Sequence, residues 1–86
     1  MPRISYFYGI VVTMYHDEHN PPHFHVLYSG AQASFALEPL RRVRGRWPGR
    51  AERLVLEWAA LHRDELVMNW ERAQRGEELI TIDPLD

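Results

Sequence analysis

The chain has no cysteine and no lysine. Without cysteine there are no disulfides and no thiolate zinc sites, so any bound metal must be held by histidine and carboxylate. A chain without disulfides suits a reducing compartment, and a cytoplasmic setting is expected. No apolar run approaches the ~20 residues that cross a bilayer. The opening Met1-Pro2-Arg3-Ile4-Ser5-Tyr6 has no apolar segment ending in a small-residue cleavage site. A membrane is therefore not an expected partner. With lysine missing, all ten basic residues are arginine, whose planar fork suits phosphate oxygens. A net charge of −2 leaves no global footprint for nucleic acid.

What is present is concentrated. Four of the five histidines fall between His16 and His25, beside Asp17, Glu18 and the stiff Pro21-Pro22 step. Six arginines, Arg41, Arg42, Arg44, Arg46, Arg50 and Arg53, fall within thirteen positions with one acid, Glu52. The second cluster is either a solvated strand and helix start or a local anion site, with Arg41, Arg42, Arg44 and Arg46 as the candidate anion or RNA contacts.

At 86 residues, 45% of them hydrophobic, the chain can fold as one domain, 1–86, with one small core. Ile4 to Tyr15 reads as one long strand or a pair broken at Gly9, with Ile10, Val12 and Met14 inward. His16 to Pro22 is a connection that the proline pair should keep extended and stiff. His23 to Tyr28 alternates with period two, placing Phe24, Val26 and Tyr28 on one face and His23, His25 and Leu27 on the other. Ser29-Gly30 turns the chain into a strand from Ala31 to Leu37, and Leu40 to Arg46 can form a short edge strand. Trp47-Pro48-Gly49 announces a helix over Arg50 to Arg75, whose apolar stripe is Val55, Trp58, Ala59, His62, Leu66, Trp70 and Ala73. Leu79, Ile80 and Ile82 can add a last short strand. The fold class expected is α+β: a small antiparallel sheet of four to five strands with one long helix packed on one face, and the other face open.

The open face is then the one carrying His23 and His25. Strand residues two apart point the same way, so both imidazoles can converge on one divalent metal, such as zinc or nickel, or on one phosphate. His19 is the third candidate ligand, with His16, Asp17 or Glu18 as further possibilities. Metal-free chemistry is the competing reading, with His23 and His25 as general acid and base and His19 or Arg46 assisting. Solvated or structural histidines are the third. Tyr28 reads as a core aromatic. His62, on the apolar stripe, reads first as a buried histidine with a hydrogen-bond partner.

Several stretches resemble the bacterial family known as domain of unknown function 4160. They are Pro2-Arg3-Ile4-Ser5 with Phe7-Tyr8-Gly9-Ile10-Val11-Val12, then His19-Asn20-Pro21-Pro22-His23-Phe24-His25-Val26. The helix adds Arg53-Leu54-Val55-Leu56-Glu57-Trp58-Ala59, Leu61-His62-Arg63-Asp64-Glu65-Leu66 and Asn69-Trp70. The resemblance implies a bacterial protein, often encoded beside another uncharacterised small protein (domain of unknown function 2442), as in a toxin–antitoxin-like pair. It implies no catalytic residue. The expected function is one partner of such a two-gene module, contacting a cognate protein and contacting or cleaving RNA through the histidine cluster. The alternative is a non-enzymatic metal-binding or interaction module whose open sheet face forms a homodimer or docks a partner.

Overall fold

The computed structural model describes residues 3–16 and 18–86; Pro2 and Asp17, both singled out above, lie outside the described residues. Five strands, β1 (Arg3–Phe7), β2 (Ile10–Thr13), β3 (His23–Tyr28), β4 (Ala31–Leu37) and β5 (Leu40–Gly45), precede helices α1 (Gly49–Leu61) and α2 (Arg63–Gln74). The strands form one antiparallel sheet in chain order, β1-β2-β3-β4-β5. The fold is α+β, as expected.

Two hairpins follow directly from local chemistry. Tyr8 and Gly9 both have positive φ, 50° and 81°, and so do Ser29 and Gly30, at 46° and 86°. Two consecutive residues of that hand form the tight turn whose twist matches the flanking strands, and each pair includes a glycine to accept it. The expected break at Gly9 is therefore a complete hairpin, with Phe7 paired to Ile10. The connection before β3 is not extended throughout, because the chain bends at Asn20 and Pro21.

The helices cover one face of the sheet. Trp58 is fully buried, with its ring 5.2 Å from Phe7 and 5.9 Å from Phe24, and Phe24 stacks on Phe35 at 5.6 Å. Ile10, Val12, Val26, Val55 and Leu66 complete this core. Burying side chains of this size stabilises by roughly 1.5–3 kcal/mol each, before the opposing chain entropy.

Two expectations about the later half of the chain need correction. There is no single long helix from Arg50 to Arg75; the helix breaks at His62, whose φ and ψ are −115° and 27°. Helical bonds still reach into and out of the break, from the His62 N–H to the Trp58 carbonyl and from the Leu66 N–H to the His62 carbonyl. The apolar stripe resumes at Leu66 in the same phase, so periodicity conceals the interruption. The segment from Leu79 to Ile82 forms no strand either. It runs beside β1, where the Ile82 N–H donates to the Ile4 carbonyl at 2.7 Å and the Ser5 hydroxyl to the Ile82 carbonyl at 2.9 Å. Asn69, 1% exposed, clamps the backbone of Ile80 with both ends of its amide. Among the described residues no helix is long and apolar enough to cross a membrane.

Candidate functional site

The register places Thr13, His25, Ser34 and Arg44 in a row across the face of the sheet away from the helices, with His23, Ala36 and Arg41 in the next row. Alternation in β3 alone puts both imidazoles there. This face is not bare at the histidine end. The connection between β2 and β3 folds over it, held by the end of α2 and the residues after it: the Gln74 amide donates to the Glu18 carbonyl and the His16 ring to the Glu77 carbonyl. The His23 ring lies 5.3 Å from Trp70 of α2, so the helix reaches this face around the end of the sheet.

The connection delivers the Glu18 carboxylate onto the two histidines. Glu18 Oε1 is 2.5 Å from His25 Nε2 and 3.5 Å from His23 Nε2, and the three residues offer ligand atoms within 4.8 Å of one another. Their side chains are partly enclosed, at 27% exposure for Glu18, 18% for His23 and 29% for His25. Burial works against the charge on Glu18. The His25 hydrogen bond and the charges of both imidazoles outweigh it and hold the carboxyl below its ordinary range.

The far side of each imidazole is also held. His23 Nδ1 lies 2.8 Å from the Pro21 carbonyl, which can only accept, so Nδ1 carries the hydrogen. In a neutral His23 the lone pair of Nε2 then faces Glu18 Oε1, and a proton or a cation between them removes that repulsion. His25 Nδ1 lies 3.1 Å from the Ser34 hydroxyl, which can donate to it or accept from it. Histidines that bind metal commonly have their second nitrogen fixed in this way.

Ser34, His25 and Glu18 also form a hydrogen-bonded chain of the order used by nucleophilic hydrolases. Ser34, however, is 9% exposed and sits in mid-strand with β3 and β5 on either side. Nucleophilic hydrolases need backbone N–H groups aimed at the developing oxyanion, and a mid-strand serine has its own backbone committed to the sheet. The serine is better placed to orient His25 than to attack.

A groove of about 430 Å³ opens over the cluster, lined by Glu18, His19, His23, His25, Ser34 and Arg44 among others. His19 is exposed and borders the groove, outside the group of three ligand atoms. The arginines separate. A bulge in β5 at Val43 lets Arg42 pair with Phe35 and Arg44 with Ser34. Strict alternation would put Arg42 and Arg44 on one face; the extra residue turns Arg44 onto the histidine face. Arg42 stays on the helix side, bound to Glu52 at 2.7 Å and to the Gly45 carbonyl. Arg41 shares the histidine face, and Arg46 lies beyond the end of β5. Gly45 ends the bulged strand with a φ of 90°, its backbone so close to Gln32 and Ala33 that a Cβ has no room.

His62 stands apart from this cluster. Its Nδ1 is 2.6 Å from Glu65 Oε1 and its ring rests 5.7 Å from Trp58. Nothing in the sequence singles out Ser34, which is one small residue in an ordinary strand. Glu18 was one of several options, and only the fold of the connection selects it.

Residues 9–71 match the family described as Domain of unknown function (DUF4160), and the chain belongs to that family. No curated protein and no solved structure matches it.

Proposed function

We propose that this member of the family binds one divalent first-row transition ion through Glu18, His23 and His25, in the groove above the sheet and in the bacterial cytoplasm. The carrying observation is the trio itself, with each imidazole braced on its far side by Pro21 or Ser34. Two histidines and one carboxylate suit zinc, nickel or iron and leave coordination positions for a ligand from the groove. Ligands ~2.1 Å from an ion at tetrahedral angles stand about 3.4 Å apart. The His23–Glu18 pair is at that distance, whereas the His25–Glu18 hydrogen bond must open by about 1 Å. The test is metal content and zinc or nickel affinity of tag-free protein. One ion per wild-type chain, lost in His23→Ala/His25→Ala and in Glu18→Gln, is the expected result. A folded wild type that takes up no ion sinks the reading.

A second reading is supported by Arg44 and Arg41 sharing the histidine face: the protein contacts RNA as one partner of a toxin–antitoxin-like pair. In its metal-free form His23 and His25 act as acid and base, with His19 at the rim. The other end of the same face, with exposed Tyr6 and half-buried Val11 and Leu27, offers a surface for a cognate small protein or a second copy. Expression alone should slow growth, and His23→Ala/His25→Ala should relieve it. Harmless expression of well-folded wild type removes the toxin role, and a pull-down with the neighbouring gene product then tests the antitoxin role.

A further inference from the structure

Among the described residues that line the groove, one charged group is of no use to the metal. Arg44 borders it beside the histidines, placed there by the Val43 bulge. Bulges commonly re-aim a side chain at a functional site. Arg42, Arg63, Arg72 and Arg75 each reach a carboxylate; among the described residues the other six arginines make no ion pair, and of these Arg44 is the one that lines the groove. The groove volume falls in the range of small-molecule sites, roughly 300–1,000 Å³.

Charge indicates the ligand. Among the described lining residues, the Glu18 carboxylate and the Arg44 guanidinium, together with an ion of charge +2, sum to a surplus of two positive charges. Partly enclosed charges are stabilised by compensation. A phosphate monoester dianion supplies that compensation, with oxygens for both the ion and the two-pronged guanidinium. A carboxylate or an internal phosphodiester brings only one negative charge. Val43 and Ala36 give the groove an apolar wall for the rest of such a molecule.

We propose that the groove binds a terminal phosphate group between Arg44 and the ion held by Glu18, His23 and His25. This rests on the metal reading above and adds the ligand to it. The shared chemistry is a phosphate dianion, whether free or at the end of a nucleotide.

The experiment is a calorimetric titration of the zinc-loaded full chain with inorganic phosphate, with adenosine 5′-monophosphate and with a short RNA lacking terminal phosphates. Phosphate or the nucleotide should bind wild type, and Arg44→Gln should weaken binding roughly tenfold or more while zinc affinity stays unchanged. Arg53→Gln, at an exposed position of α1 away from the groove, should leave phosphate affinity intact. Tighter binding of the nucleotide than of free phosphate would assign the apolar wall to its nucleoside. Normal zinc uptake with no phosphate binding, or equal binding by Arg44→Gln, overturns this inference and leaves the metal reading standing. Preference for the RNA without terminal phosphates overturns it in favour of backbone contact. Absence of zinc uptake overturns both.

Discussion

Glu18 Oε1 lies 2.5 Å from His25 Nε2, and the two residues reach each other only because the chain between them bends at Asn20 and Pro21. Seven positions apart, on a connection and a strand, they share no periodicity. The pair is the centre of the candidate site.

Its pH dependence has a definite sign. The Glu18 carboxyl is held below its ordinary value in the folded state, so the pair stabilises the fold fully above that value. The contribution is lost as pH falls through the lowered folded value. In the metal-free protein, the denaturation midpoint of wild type should exceed that of Glu18→Gln near neutrality. The gap should close as the solution is acidified below about pH 4. A gap that widens in acid would show that the ionised carboxylate is not what stabilises.

Ser34→Ala should weaken metal binding by about ten- to a hundredfold without abolishing it, as loss of a bracing partner does. Zinc titrations with a competing chelator read this directly. Complete loss would make Ser34 a ligand itself, and no change would remove the bracing role of its hydroxyl.

Gly45→Ala should destabilise by about 2 kcal/mol or more. The new methyl meets the Gln32 carbonyl and the Ala33 Cα, and φ at this position is 90°. A thermal melt with an unchanged midpoint would mean that β5 shifts freely, and Arg44 with it.

Asn69→Ala leaves the carbonyl and N–H of Ile80 without their partners in a part-buried setting. A loss of about 2–3 kcal/mol is expected, with the segment after Gly76 becoming sensitive to protease. Protease resistance equal to wild type would show that the bonds of Ile82 to Ile4 and Ser5, with the Trp58 Nε1–H that donates to the Asp83 carbonyl, hold this segment without Asn69.

The strands from His23 to Tyr28 and Ala31 to Leu37 were legible because alternation and two turn-forming residues bound them on both sides. The facing of His23 and His25 followed from the same alternation. The break at His62 was not legible, since no proline or glycine marks it and the apolar stripe passes through in phase. Nor was the turn of Arg44 away from Arg42, because a bulge is a property of the pairing between two strands and not of either strand's pattern. Glu18 could not be chosen over His19 from composition. Its position depends on α2 gripping the connection through Gln74, 56 residues away.

Every strand lies beside its neighbour in sequence, so the sheet can assemble by closing short loops in succession, a topology that favours rapid folding. The bond from Ser5 to Ile82 spans 77 residues. Because closure entropy grows with the logarithm of loop length, at ~0.6 kcal/mol per doubling, this clasp is costly in an open chain and cheap once the hairpins and helices have shortened the path. The first strand and the segment after α2 are therefore sewn together late, by a seam that reports on whether everything between them has already found its place.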